Sequence, residues 1–265
     1  MGLNAPQASS EKPSFWSGRF PVMVMAHRGF SGAAPENTLS AFKKAIDIGV
    51  DTIELDIRFS KDGHLVVFHD DTLERTTRRI GKVAALTLQE IKGLDAGSWF
   101  GTSFAGERIP TFTEVLELTR GRALLNIELK KGDHGPYSII DLADRALDEI
   151  KKAKMEDRVL FSSFDATAVA RILEKDRRIP AALISRNPWN SPFDVMEGNR
   201  FSILNCRMDT LNPVNLKRAR QEGVRIGVWT LNTEEEMDRF VSMEVDAILT
   251  NYPDRLIQLL QKKYR

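Results

Sequence analysis

Cysteine is almost absent from this 265-residue chain, which contains only Cys206. A single cysteine cannot form an intramolecular disulfide. It lies beside the apolar run 201–204, which predicts a buried and unreactive thiol. This cysteine usage suits a reducing compartment, so we expect a cytoplasmic protein.

Long apolar runs are missing as well. No segment reaches the roughly 18 apolar residues that identify a membrane-spanning helix. The first 20 residues lack the apolar centre of a secretory signal, and Pro6 stands where a myristoylation motif needs serine or threonine. We therefore expect no secretory signal and no stable membrane anchor. We interpret residues 1–20 as a loosely packed N-terminal arm.

Neither sign of charge is in excess. Lysine and arginine together number 38, aspartate and glutamate 37, and the formal net charge is +1. Nucleic acids and anionic membranes attract proteins with a basic bias, so neither is an expected partner. A small molecule is the expected partner, and a homodimer is compatible with the sequence.

What the chain does contain is a regular alternation of apolar runs and helical segments. Its length and its 42% of hydrophobic residues suit one barrel domain, which we assign to residues 21–265. The predicted strands are 22–26, 51–59, 123–129, 158–163, 180–185, 201–205, 224–230 and 247–250. Each is followed by a predicted helix, including a short one at 193–197. Eight such repeats predict an α/β fold closed into a (β/α)8 TIM barrel.

An open, doubly wound parallel sheet is the alternative architecture. That fold carries a glycine-rich phosphate-binding turn after its first strand. In this chain the first strand is followed by His27, Arg28 and Gly29, which do not form such a turn. The closed barrel is therefore preferred.

Residues 70–110 interrupt the alternation. They follow a short hairpin extension of the second strand and are too long for an ordinary connection. We predict a small insertion at this point of the barrel. It could line a substrate pocket or serve only as a packing subdomain, and the sequence favours neither.

Chemically active side chains concentrate near the first two strands. His27 and Arg28 end the first strand, while Glu54 and Asp56 lie two residues apart on the second. Residues two apart on a strand point to the same side. Two carboxylates on one side of an otherwise apolar strand would repel each other without a counter-charge. The spacing therefore predicts a bound divalent cation.

The third strand supplies a further carboxylate, Glu128, with Lys130 two residues on. Catalytic groups of barrels lie at the carboxyl ends of the strands, so Glu128 is expected to join Glu54 and Asp56. Three carboxylates form a hard oxygen site suited to Mg²⁺ or Ca²⁺.

Other polar and aromatic residues complete the predicted site. Arg28 and Lys130 are fixed cations that can hold phosphate oxygens. His27 and His69 can transfer protons near neutral pH. The aromatic side chains expected to line a substrate pocket are Trp229 and Phe164.

Ten short motifs between residues 22 and 260 are similar to those of one known family. In chain order they are AHRG, PENT, ELD, VFHDDTLERTT, LTLQEIKGLDAG, IPTFTEVLE, NIELK, FSSF, VWTLN and TNYPD. Together they resemble the glycerophosphodiester phosphodiesterases, and the set is far more specific than any single motif. The resemblance implies a TIM barrel that hydrolyses glycerophosphodiesters to sn-glycerol 3-phosphate and an alcohol with a divalent metal. It assigns His27 and His69 as the acid–base pair, Glu54, Asp56 and Glu128 as metal ligands, and Arg28 and Lys130 as phosphate contacts.

Two other functions remain open at this stage. A related barrel phosphodiesterase of the lysophospholipase D type would act on lysolipids and could release a cyclic phosphate. A non-catalytic phosphoester-binding protein would bind the diester without turnover.

Overall fold

The computed structural model describes residues 15–186 and 201–265, and the helix predicted at 193–197 lies outside them. The strands are β1 Met23–Ala26, β2 Thr52–Phe59, β3 Leu65–Val67, β4 Leu124–Leu129, β5 Val159–Ser163, β6 Ala181–Ser185, β7 Ile203–Arg207, β8 Arg225–Trp229 and β9 Ala247–Thr250. The α-helices are α1 Leu39–Asp47, α2 Glu74–Thr77, α3 Leu88–Lys92, α4 Phe112–Thr119, α5 Ile139–Ala153, α6 Ala166–Lys175, α7 Pro213–Gln221, α8 Glu234–Ser242 and α9 Pro253–Lys263. Short 3-10 helices occupy Val83–Ala85, Thr102–Phe104 and Glu156–Arg158. Within these two ranges, no helix is at once long and apolar enough to span a bilayer.

Eight of the strands form a closed parallel barrel. The order of neighbours is β1, β9, β8, β7, β6, β5, β4 and β2, and the pairing of β1 with β2 closes the ring. Strand β3 pairs antiparallel with β2 and stays outside the ring. The predicted (β/α)8 barrel is thereby confirmed, with the short hairpin extension on its second strand.

Successive side chains along a barrel strand point alternately to the surrounding helices and to the inside of the barrel. On β2 the side chains of Ile53, Leu55 and Ile57 are fully buried in the apolar layer beneath the helices. Glu54 and Asp56 lie between them in sequence and face the inside of the barrel, where they are also buried. Burying each aliphatic side chain contributes about 1.5–3 kcal/mol, so the helix-facing layer can stabilise a barrel whose interior carries charge.

The amino end of the barrel is covered by the end of the predicted arm. Phe15 is buried and packs against barrel residues such as Met23 and Leu160. Trp16 lies beside it, with the two ring centroids 5.7 Å apart. This part of the arm is therefore packed on the barrel, in contrast to the loose packing expected from the sequence.

The segment between β3 and α4 has a small apolar core of its own. Its buried residues include Leu73, Val83 and Ile91. Helix α3 begins with a capping box, in which the Thr87 hydroxyl accepts from the backbone N–H of Glu90 and the Glu90 carboxylate accepts from that of Thr87. Most of the segment thus packs on itself, and only its first residues reach the cleft described below.

The sequence allows either Asn37 or Thr38 to cap α1. In the structure Thr38 is the cap, since its hydroxyl accepts from the backbone N–H of Ala41. Asn37 instead adopts a left-handed backbone conformation, with φ of 57°, and its side chain turns towards β2. Two adjacent polar residues therefore serve different purposes.

Alanine substitutions at two glycines of positive φ test how tightly the turn after β1 packs against α1. Gly29 has φ of 79°, and an added Cβ would lie 2.8 Å from the Ala41 backbone. Gly49, after α1, has φ of 74° and nothing within 4 Å of that position. We expect Gly49→Ala to cost about 1–2 kcal/mol of unfolding free energy, the ordinary penalty of this backbone region. Gly29→Ala should cost at least about 1–3 kcal/mol more, because the helix backbone must move.

Urea unfolding of both variants beside the unaltered protein measures this difference. Gly49→Ala is the matched control, since it makes the same chemical change without the clash. Equal losses of stability would show that the turn and α1 are not in the close contact described here.

Candidate active site

Three carboxylates converge at the carboxyl ends of β2 and β4. Oxygen atoms of Glu54, Asp56 and Glu128 all lie within 4.8 Å of one another, and each residue is buried. The parallel register places Asp56 directly opposite Glu128, and Glu54 two residues before Asp56 on the same face. The regular geometry of the sheet is thus sufficient to assemble the cluster.

Two cations contact this cluster. The Lys130 ammonium lies 2.6 Å from Glu128 Oε1 and 3.3 Å from Asp56 Oδ1. The Arg28 guanidinium lies 3.6 Å from Asp56 Oδ2, and the Arg28 backbone N–H donates to Glu54 Oε2 at 2.8 Å. When all three acids are ionised, these two cations leave one negative charge without a counter-charge.

The pKa values of the three carboxyl groups are shifted in different directions. Burial raises the pKa of Glu54 well above its usual range, and repulsion from Asp56 and Glu128 adds to the effect. Burial also raises the pKa of Glu128, although Lys130 opposes it. Burial acts in the same direction on Asp56, but Lys130 and Arg28 outweigh it and hold the pKa of that carboxyl below its usual range. Glu54 therefore lacks an adequate cation among its neighbours.

The arrangement fits a divalent cation. Asp56 Oδ1 and Glu128 Oε1 are both buried and both contact the single Lys130 ammonium, at 3.3 and 2.6 Å. Three buried carboxylates are unfavourable unless enough positive charge compensates them. Carboxylate oxygens are the ligands of hard cations such as Mg²⁺ and Ca²⁺. Glu54, Asp56 and Glu128 would hold the ion.

His27 lies at the junction between the first and last strands of the barrel. Its backbone N–H donates to the Thr250 carbonyl at 2.9 Å, and its Nδ1 lies 2.7 Å from Oδ1 of Asn251. Burial lowers the pKa of His27 to about 4, and the charge of Arg28 contributes to this. The ring is therefore neutral near pH 7 and able to accept a proton.

His69 is brought to the site by the β2–β3 hairpin. The residue before it, Phe68, donates its backbone N–H to the Asp56 carbonyl at 2.9 Å. The Arg58 guanidinium donates twice to the His69 carbonyl, at 3.0 and 2.7 Å. The His69 ring has Nδ1 2.5 Å from Asp70 Oδ1. Backbone and ring are both fixed by polar partners.

A chain of ion pairs joins the surroundings of Arg28 and His69. Arg28 pairs with Glu36 at 2.7 Å, and Arg75 contacts both Glu36 at 2.7 Å and Asp70 at 2.6 Å. Sequence analysis did not single out Glu36, Asp70 or Arg75. All three occur inside the motifs PENT and VFHDDTLERTT, so the motifs themselves were the available signal.

Two asparagines also contact site residues. The sequence offers Asn37 as a possible cap of α1 that could also touch the site, and it assigns Asn251 no role. Asn37 Nδ2 donates to Asp56 Oδ2 at 2.7 Å and so orients that carboxylate. Asn251 contacts His27 as described above, and it belongs to the motif TNYPD. Asparagine side chains commonly orient a carboxylate or an imidazole by a hydrogen bond to the atom that faces away from the reaction centre.

The aromatic residues named from the sequence form one wall of the site. Phe164 and Trp229 meet edge to face, with ring centroids 5.8 Å apart. Eight of the nine predicted site residues line a central cavity of about 80 Å³. The ninth, Asp56, contacts Lys130. A wider cleft of about 390 Å³ adjoins the cavity and shares His69 and Phe164 with it.

One expectation from the sequence is wrong at this end of the barrel. The glycines at 132 and 135 suggest a flexible loop around His134. In fact His134 is buried, with Nε2 2.7 Å from the Lys130 carbonyl and its ring edge to face with Phe59. The glycines supply the backbone turns that allow the side chain to fold inwards.

Three clustered carboxylates that could hold a cation, beside a cavity lined by two fixed cations and two imidazoles, are suited to breaking a phosphoester bond. On a closed (β/α)8 barrel, these groups define the class of metal-assisted phosphoesterases. More specifically, the chain belongs to the glycerophosphoryl diester phosphodiesterase family, whose model matches residues 27–255.

Individual relatives cover nearly the whole chain. It is 38% identical over 242 residues to a glycerophosphodiester phosphodiesterase of Caldanaerobacter subterraneus subsp. tengcongensis, covering 91% of this chain and 98% of that one. A phosphodiesterase of Oleispira antarctica, solved in complex with the product sn-glycerol-3-phosphate, is 29% identical with a TM-score of 0.86, covering 94% and 100%. The glycerophosphodiester phosphodiesterase of Thermotoga maritima is 32% identical with a TM-score of 0.73, covering 90% and 98%.

Proposed function

We propose that this protein hydrolyses glycerophosphodiesters to sn-glycerol 3-phosphate and an alcohol, with a divalent cation at its carboxylate cluster. The observation that carries the proposal is the convergence of Glu54, Asp56 and Glu128 beside the cavity that His27 and His69 line. The related enzyme solved with sn-glycerol-3-phosphate supports the choice of substrate.

The phosphate would be held from two sides. A cation bound by the three carboxylates would offset charge on the phosphate as the transition state forms. Arg28 and Lys130 reach the same cavity and are partly neutralised by their carboxylate partners. They would bind the remaining phosphate oxygens through charge-assisted hydrogen bonds and fix the diester for reaction.

The two histidines would divide the proton transfers. His27, neutral because its pKa is lowered to about 4, would accept the proton of the attacking hydroxyl. If water attacks, sn-glycerol 3-phosphate forms directly. If the glycerol hydroxyl of the substrate attacks, a cyclic phosphate forms first and water must then open it. His69, whose Nδ1 contacts the Asp70 carboxylate, would donate a proton to the departing alcohol oxygen. Phe164 and Trp229 would pack against the alcohol portion.

Removal of the metal is the direct test. A chelator should lower the release of sn-glycerol 3-phosphate at least about 100-fold, since a bound metal supplies several kcal/mol of transition-state stabilisation. Adding back Mg²⁺, Ca²⁺ or Mn²⁺ in excess should restore the rate, and comparison of the three ions identifies the one preferred. Full activity of thoroughly chelated protein would contradict the proposal.

The same assay separates the related activities. Faster turnover of lysolipids, or a cyclic phosphate that accumulates as the final product, would instead identify a phosphodiesterase of the lysophospholipase D type. Tight binding of the diester without product would identify a binding protein. The cytoplasmic location and a homodimer stay predictions, to be tested by cell fractionation and light scattering.

A further inference from the structure

Arg186 follows the carboxyl end of β6 and lines both the central cavity and the wider cleft. Its guanidinium carbon lies 5.0 Å from the centre of the Phe164 ring and 5.8 Å from that of Trp229. Such distances are those of cation–π contacts, which fix the direction of an otherwise flexible side chain. Sequence analysis assigned this residue no role.

The other cations that line these two spaces all have carboxylate partners. Arg28 contacts Glu36 at 2.7 Å, Lys130 contacts Glu128 at 2.6 Å, and Lys131 lies 3.8 Å from Asp165. Arg58 pairs with Asp71. Within residues 15–186 and 201–265, Arg186 alone among these cations has no carboxylate within ion-pair distance. An anionic group of a ligand could fill that position.

The position of Arg186 relative to the cavities indicates which part of the substrate it meets. The central cavity is small, at about 80 Å³. An alcohol portion that packs against Phe164 would extend into the adjoining cleft of about 390 Å³, which Phe164, His69 and Arg186 all line. The proton donor proposed for the departing alcohol and the Arg186 guanidinium thus share one space.

The aromatic wall is also less suited to a cationic group than its composition suggests. A quaternary ammonium binds best over free aromatic faces. Here Arg186 lies over both rings, and the Lys130 ammonium lies 6.0 Å from the centre of Phe164. A choline-type group would meet two like charges at this wall.

We propose that Arg186 selects glycerophosphodiesters whose alcohol carries an additional anionic group, either a carboxylate or a second phosphate. This rests on the proposed function and extends it to the substrate class. The guanidinium is planar and presents paired N–H donors, which match the oxygens of either anion.

Two substrate pairs isolate the contribution of the extra anion. Glycerophosphoserine differs from glycerophosphoethanolamine by one carboxylate. Fully deacylated cardiolipin differs from glycerophosphoglycerol by a second phosphodiester and its glycerol. In each pair the metal-loaded protein should show about tenfold higher kcat/KM for the more anionic member, the size expected of a charge-assisted contact. A preference in only one pair would identify which anion is recognised.

Three variants test the residue itself. Arg186→Gln should remove the preference, chiefly through KM for the anionic member, while Arg186→Lys should keep part of it. Arg177→Gln is the matched control, since Arg177 is exposed and lines a separate cavity of about 400 Å³ at the amino end of the barrel. It should leave the preference unchanged. Melting temperatures establish that the variants are folded.

The outcomes separate the two proposals. If Arg186→Gln lowers kcat/KM equally for all four substrates, or if the unaltered protein prefers the less anionic member of both pairs, the selectivity is overturned while the phosphodiesterase function stands. If the metal-loaded protein turns over none of the four, the proposed function is overturned, and the selectivity with it.

Discussion

Replacing Glu54 with glutamine is expected to abolish turnover and, at the same time, to raise the melting temperature of the metal-free protein. The amide keeps an oxygen that can accept the hydrogen bond from the Arg28 backbone N–H. It removes one of three negative charges that are buried within 4.8 Å of one another. Without a metal, that charge is repelled by Asp56 and Glu128, so its removal should stabilise the fold.

The expected magnitudes follow from these roles. Loss of a metal ligand should lower kcat/KM roughly 1,000-fold, because several kcal/mol of transition-state stabilisation depend on the ion. Relief of the repulsion by about 1 kcal/mol corresponds to a rise in melting temperature of roughly 2–4 °C for a chain of this length. The variant thus gains stability as it loses activity.

The measurement combines kinetics with thermal melting in chelator and in excess Mg²⁺. The unaltered protein should melt higher with the metal, whereas the variant should respond weakly, because ligand binding stabilises only a fold that binds the ligand. Glu117→Gln is the matched control: it makes the same change on the exposed face of α4 and should alter neither property. A less stable, still active Glu54→Gln protein would refute the assignment of Glu54.

Removal of either proposed acid–base residue should slow the chemical step while leaving metal binding intact. His27→Ala and His69→Ala are each expected to lower kcat by about 100- to 10,000-fold, the usual contribution of a positioned proton donor or acceptor. Each variant should still melt at a higher temperature with the metal. The double variant should be little slower than the slower single one, since groups acting in one reaction are not additive.

His64→Ala is the matched control for both histidines. His64 is exposed in the turn between β2 and β3, only five residues from His69 in sequence. Its replacement should leave kcat unchanged. If the losses of the single variants multiply in the double variant, or if the metal no longer raises the melting temperature, the histidines serve the structure rather than the proton transfers.

The sequence predicts those parts of the molecule that depend on local periodicity. The two-residue spacing of Glu54 and Asp56 places both on one face of β2, and the apolar residues between them define the opposite face. The parallel register with β4 then brings Glu128 into the same cluster. Repetition of strand and helix likewise predicts the closed barrel, because few other arrangements bury eight apolar strands.

Contacts between distant residues were not predictable in this way. His27 and Asn251 are 224 positions apart, and only the closure of the barrel brings them together. The pairing of Arg186 with the ring of Phe164 depends on the order of β5 and β6 in space. Which of Asn37 and Thr38 caps α1 depends on the position of Asp56, because Asn37 donates to that carboxylate instead. A local sequence pattern does not encode this position.

The barrel closes where its first strand, β1, pairs with its last strand, β9, and this has a further consequence. The carboxylates depend on β2 and β4, which are neighbours in the barrel, whereas the position of His27 also depends on β9 and the residues that follow it. A lesion that loosens the last strand would displace the proposed proton acceptor and spare the proposed cation ligands. Such a protein would still bind its ion and yet be inactive, so metal occupancy alone would not report an active enzyme.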